Sequence, residues 1–231
     1  MPVDHVSIRT RDGDCRAQVV TPAGQGPWPA VILYMDAGGI RPAMLAMAER
    51  LAAAGLVVLL PDLFYRYGPY GPFVPEAVFK GDVRAILGPL MATTGNDKAA
   101  ADTVAFLAYL DTRDDIAGRE IGAVGFCMGG GMALASAGTC PDRFAAVASF
   151  HGGNLATDAP TSPHLFAPML TAEVYIGAAE NDGSYPPAMA ARLETALTQA
   201  GVRFTAETYR AAHGWMMPDF PVYDPAAAER G

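Results

Sequence analysis

The residues best suited to covalent chemistry lie in the segment IGAVGFCMGGGMALA, residues 121–135. Here Gly125-Phe126-Cys127-Met128-Gly129 stands between an apolar strand-like run and a run of small helix-forming residues. A strand-to-helix turn at this point would hold Cys127 on a strained backbone, with its sulfur projecting from the turn, the form of a nucleophile elbow. Glycines two residues before and after the cysteine suit such a turn, because larger side chains would meet the neighbouring strand and helix. The first free N–H groups and the positive dipole end of the following helix point at the sulfur, which favours a thiolate. They also make the Met128 N–H a donor for a developing oxyanion. The plainer alternative is a buried structural cysteine in a Gly-rich turn.

A nucleophile needs a base, and the base needs an orienting acid. Asp182 follows the apolar run EVYIGA in the loop AENDGSYPP, 55 residues beyond Cys127. His213 follows RFTAETY in RAAHGW, a further 31 residues on. Both positions fall just past the carboxyl end of an expected strand, the edge where sites form in open α/β sheets. His213 would take the thiol proton and Asp182 would orient the ring. His151, in SFHGG, also ends a strand and reads as a pocket-lining or structural histidine. Glu180 is an alternative acid. His5 and His164 read as solvated, and Asp62 as a cap on backbone at a strand end.

The elements that must position these residues can be read from periodicity. Residues 3–21 form two alternating segments around Asp12-Gly13-Asp14, the pattern of an antiparallel hairpin. Continuous apolar runs at 31–35 and 57–60 suit strands buried on both faces, with a helix between them from Ala43 to Ala54. Residues 61–80, rich in Gly, Pro, Tyr and Phe, predict a long loop. Helices are expected at 82–92, 97–111, 130–137 and 187–200, and strands at 121–126, 145–150, 173–178 and 203–209. The pattern predicts an α/β fold: a mostly parallel central sheet of about eight strands, opened by the hairpin, with helices on both faces. One domain is expected over residues 1–231. Asp224-Pro225 begins a helix close to Gly231, so the C-terminal helix is expected to be cut short, leaving an apolar strip uncovered.

Composition narrows the function. The 231 residues carry a formal net charge of −8, which argues against a nucleic-acid partner. With 51% hydrophobic and 17% charged residues, disorder is excluded. Cys15, Cys127 and Cys140 show neither paired nor C-x-x-C spacing, so no disulfide framework and no metal cage is expected. No secretory signal opens the chain, and a cytoplasmic location is expected. Residues 121–141 are uncharged and long enough to cross a membrane on paper, but their six glycines fit strand, turn and helix better.

Three motifs, G-x-C-x-G-G at Gly125–Gly130, D-x-x-x-P at Asp182–Pro186 and A-x-H-G-W at Ala211–Trp215, together resemble the dienelactone hydrolase family of α/β-hydrolases. The likeness extends over nearly the whole chain. It implies an oxyanion hole that pairs the Met128 N–H with that of Ala37. The family carries a thiol-switching Glu in this loop, and Asp36 takes its place. It also implies arginines that hold a substrate carboxylate, but Met217 stands at one of those positions, with Arg66 and Arg41 the candidates for the other. The implied activity is cofactor-free hydrolysis of a small ester or lactone through an acyl-thioester on Cys127. A ligand-binding protein on the same scaffold and an acyltransferase are the alternatives. Phe64, Tyr65, Tyr67, Tyr70, Phe73, Trp215 and Met216 are the expected apolar lining, suited with Met217 to an uncharged substrate.

Overall fold

The computed structural model describes all residues from Met1 to Gly231. The alternating N-terminal segments form β1 (Val3–Thr10) and β2 (Gly13–Val20), paired antiparallel from Val3↔Val20 to Thr10↔Gly13. The two continuous apolar runs become β3 (Ala30–Tyr34) and β4 (Val57–Pro61), every residue of which is buried. Between them α1 (Pro42–Ala53) starts with proline in its first turn and buries Met44, Ala48 and Ala52 at helical spacing. The remaining strands are β5 (Ile121–Phe126), β6 (Phe144–Phe150), β7 (Glu173–Asn181) and β8 (Phe204–Ala212). All eight lie in one sheet of order β1-β2-β4-β3-β5-β6-β7-β8, with β2 antiparallel to β4 and the others beyond it parallel.

The tract read as one long loop is only partly so. Pro75–Lys80 forms a short helix, α2, followed by α3 (Val83–Met91), which Asp82 caps through the Ala85 N–H. Six residues are too few to be helical on their own. Packing holds α2: Val78 is buried, and the Phe79 ring meets Phe220 edge-on at 5.0 Å. The strands β7 and β8 run three residues further than their apolar patterns suggest, because their ends pair with each other as far as Asn181↔Ala212.

Strand order decides which face each helix covers. The crossover from β3 through α1 to β4 steps one way along the sheet. Those through α4 (Asn96–Leu110), α5 (Met128–Thr139) and α6 (Pro187–Gln199) step the other way. With right-handed crossovers, α1 and α5 therefore lie on opposite faces. The uncharged stretch at 121–141 is β5 and α5, and no helix is long and apolar enough to cross a membrane. The last helix, α7 (Pro225–Arg230), is capped by Asp224, which accepts from the N–H groups of Ala226 and Ala227, and it contacts β8. On the α1 face an apolar groove of about 470 Å³ stays open, lined among others by Val31, Leu56, Val124, Ala146 and Tyr175. The sequence reading places an uncovered strip beside the last strand; this groove lies instead across the middle strands and touches β8 only at Thr205.

Candidate active site

Cys127 sits between the end of β5 and the start of α5 with φ 55° and ψ −119°, a conformation that side chains seldom adopt. The local glycines make it accessible. A β-carbon on Gly125 would run into the Gly129 backbone, and one on Gly129 into the Tyr34 carbonyl at the end of β3. The cysteine N–H donates to the Phe150 carbonyl, which ties the turn to β6. Cys127 is half-buried and borders a cavity.

Three side chains from three strand ends form one line. His213, just beyond β8, places Nε2 3.1 Å from Cys127 Sγ and Nδ1 2.7 Å from Asp182 Oδ2, just beyond β7. Asp182 is buried and its other oxygen accepts from Ser184, from the N–H at 2.8 Å and from Oγ at 2.6 Å. Ser184 Oγ also lies 3.3 Å from His213 Nδ1. This serine escaped the sequence reading, although Asp-x-Ser in a turn signals such a contact. Burial opposes charge on His213, but the hydrogen bonds to Asp182 and Cys127 outweigh it and push the ring up to about 10. Burial likewise opposes charge on Asp182, yet bonding to His213 and Ser184 holds its carboxyl below the usual range. Glu180, the rival acid, is exposed.

The Ala37 N–H has no protein acceptor, and Ala37 borders the cavity beside Cys127. Met128 opens α5, so its N–H has no carbonyl within the helix to bond. Asp36 is engaged away from the thiol. Its oxygens accept from Arg41 Nη1 at 2.6 Å and Nη2 at 2.9 Å and from the Gly38 N–H at 2.8 Å, and no hydrogen bond joins it to Cys127. A shorter side chain than Glu beside a buried guanidinium accounts for this, so the expected thiol-switch contact is not made.

The expected substrate arginines are also occupied. Arg41 is buried, holds Asp219 at 2.6 and 3.0 Å as well as Asp36, and lies over the Phe220 ring. Desolvation opposes its charge, but its two carboxylate partners hold it charged beyond the usual arginine range. Arg66 forks onto the buried Asp102 of α4 at 2.7 and 2.9 Å and reaches Asp12 at the hairpin tip, so it ties three elements together. Neither guanidinium lines the cavity that reaches Cys127.

Trp215 and Met217 are fully buried rather than substrate-facing. Trp215 stacks on Tyr209 at 4.9 Å and meets His151 edge-on at 5.2 Å. His151 is the structural histidine of the two readings offered for it, fully buried against His213. His164, expected in solvent, is buried with Nδ1 2.9 Å from Ser162 Oγ. Asp62 does cap backbone, accepting from the Phe64 N–H, and it also accepts from the Tyr70 hydroxyl.

The cavity at Cys127 measures about 240 Å³, with Cys127 and His213 at one end and α2 and α3 along its wall. Of the aromatic residues expected to line it, only Phe73 does so. Val78, Val83, Leu87 and Met91 supply much of the rest. Val83, Leu87 and Met91 repeat at four-residue spacing on the helix expected at 82–92, which was the available signal; of the four, only Val78 lies in the stretch read as loop.

This sheet, with a nucleophile-type turn after β5 and an acid and a histidine after β7 and β8, is the α/β-hydrolase fold. The dienelactone hydrolase family model matches residues 15–231, and the chain belongs to that family of hydrolases. A Synechocystis sp. protein designated a candidate carboxymethylenebutenolidase is 26% identical over 229 residues, covering 96% of this chain and 90% of its own. The structure of a candidate dienelactone hydrolase from Klebsiella pneumoniae superposes with a TM-score of 0.87 at 21% identity, covering 99% of this chain and 94% of that one. A dienelactone hydrolase-like promiscuous phosphotriesterase, P91, from metagenomic libraries superposes with a TM-score of 0.76 at 21% identity, covering 100% and 94%.

Proposed function

We propose that the protein hydrolyses a small carboxylic ester or lactone through an acyl-thioester on Cys127. The observation that carries this reading is the unbroken line from Cys127 Sγ through the His213 ring to Asp182, opening into a cavity at its sulfur end. In the resting pair His213 Nε2 holds the proton given up by Cys127, Sγ bonds to the carbonyl carbon, and the N–H groups of Met128 and Ala37 receive the oxyanion. The imidazolium then gives that proton to the leaving oxygen as its bond to carbon breaks. Water attacks the thioester, loses its proton to His213, and the returning thiol leaves as the acid forms. Asp182 keeps the Nδ1 proton of His213 in place, and so presents Nε2 to the sulfur.

The test is hydrolysis of p-nitrophenyl acetate and butyrate with rapid acid quench and intact mass measurement. The expected results are a transient mass increase equal to one acyl group, assigned to the Cys127 peptide, and loss of turnover in Cys127→Ala. Full activity in Cys127→Ala, or acylation elsewhere, would overturn the proposal.

A further inference from the structure

We infer that the substrate is uncharged and carries an apolar group, one aromatic ring or a chain of about five carbons, seated between the catalytic edge of the sheet and helices α2 and α3. The inference rests on the hydrolase reading above and adds the chemical class that the cavity selects. Among the side chains lining the cavity, the only polar ones are Cys127 and His213, the reacting pair. Phe73, Val78, Val83, Leu87 and Met91 face it from the covering segment, and Phe220 from the loop after β8.

No lysine or arginine lines this cavity: the one titratable base on its wall, the His213 ring, is already paired with Cys127 and Asp182, and Arg84 on α3 is exposed and outside the lining. Arg41 is buried between Asp36 and Asp219, Arg66 is spent on Asp102 and Asp12, and Lys80 on α2 pairs with Glu76 on the exposed side of that helix. A carboxylate seated against the α2 and α3 wall would lose its water and gain no lysine or arginine partner there. The cavity's 240 Å³ exceeds the roughly 150 Å³ that accommodates one benzene molecule. At about 30 Å³ for each water-sized group, it holds on the order of eight non-hydrogen atoms. Three of those belong to the ester group, which leaves about five carbons. In the wall, Phe79 stands half exposed against Phe220, the one aromatic contact joining α2 to the body of the protein.

The experiment compares p-nitrophenyl pentanoate with the mono-p-nitrophenyl ester of glutaric acid, whose five-carbon chain ends in a carboxylate. The expected kcat/KM favours the neutral ester by at least about a hundredfold. From acetate to pentanoate, kcat/KM should rise about fourfold per methylene, the ratio that corresponds to about 0.8 kcal/mol per buried CH₂, and it should fall by octanoate. Val83→Arg should narrow the neutral-to-charged ratio at least tenfold by raising hydrolysis of the glutarate ester. A second readout needs no turnover: alkylation of Cys127 by N-butylmaleimide against N-(3-carboxypropyl)maleimide, followed on the Cys127 peptide, should show the same preference. A ratio below threefold in both readouts would overturn the inference while leaving the nucleophile in place. Selective alkylation without any ester hydrolysis would uphold the apolar pocket and overturn the hydrolase reading.

Discussion

His151 is buried against the ring of His213, 5.3 Å between centroids, and neither of its ring nitrogens has a hydrogen-bond partner. Burial, reinforced by the neighbouring His213, pushes its imidazole down to about 3. The unfolded chain takes a proton on this residue near pH 6.5, and the folded chain does not, so stability is lost as pH falls from about 6.5 toward 3. Replacing the ring by one that cannot titrate, His151→Phe, should flatten the pH dependence of the urea midpoint between pH 4 and 6. The expected change in slope is about 1.4 kcal/mol per pH unit, and an unchanged slope would contradict a neutral buried ring. His213 works in the opposite sense. Its folded pKa of about 10 lies above the unfolded value, so its contribution is fully present below about pH 6.5 and is lost as pH rises toward 10. Asp182→Asn removes the main group holding that proton. Thermal melts from pH 6.5 to 10 should decline less steeply in this variant than in the parent, and equal slopes would mean that Asp182 does not hold the proton.

At the scale of elements, two loops are joined by Arg41, which bridges Asp36 after β3 and Asp219 after β8. Both ends of the Arg41–Asp36 pair are almost fully buried, so Arg41→Met leaves a carboxylate stranded and should destabilise by about 3–5 kcal/mol. Arg50 pairs with Glu229 in solvent, and Arg50→Met should cost no more than about 1 kcal/mol. Chemical denaturation distinguishes the two, and equal effects would refute the structural role given to Arg41. These loops also show how far local pattern reaches. The strand-turn-helix around Cys127 was legible because a buried β-run, glycines at fixed offsets and a small-residue helix are all encoded within fifteen residues. The occupation of Arg66 and the second partner of Arg41 were not, since Asp12 and Asp102 lie 54 and 36 residues from Arg66 and Asp219 lies 178 from Arg41; only the Arg41–Asp36 pair, five residues apart, is local.

For the whole molecule, opposed crossover directions leave the sheet with unequal faces, one covered by α4, α5 and α6 and the other open across its middle strands. Ala123 and Ala146 lie on adjoining strands but differ in exposure: Ala123 is buried and Ala146 is exposed on the open groove. Ala146→Lys should therefore change stability by no more than about 0.5 kcal/mol. Ala123→Lys, which forces an ammonium under α5, should cost several kcal/mol. Comparable losses in the two variants, measured by urea denaturation, would mean that the open face is covered in solution.

What the sequence alone determined about this protein is what local periodicity and spacing encode: the hairpin, the parallel strands with their helices, the turn at Cys127, and an acid and a histidine placed after later strands. Alternation of apolar residues and turn glycines needs only neighbours along the chain to be interpretable. The tertiary structure decided which of those residues touch and which are spent elsewhere. It turned Asp36 toward Arg41, buried Trp215 and Met217 beneath the site, and laid the helix expected at 82–92, with a short helix from the stretch read as loop, over Cys127 as a cavity wall. Those outcomes depend on strand order and on contacts across the sheet edge: Asp36 and Arg41 are only five residues apart, but their pairing is fixed by Asp219, 178 residues away, and such contacts leave no periodic trace.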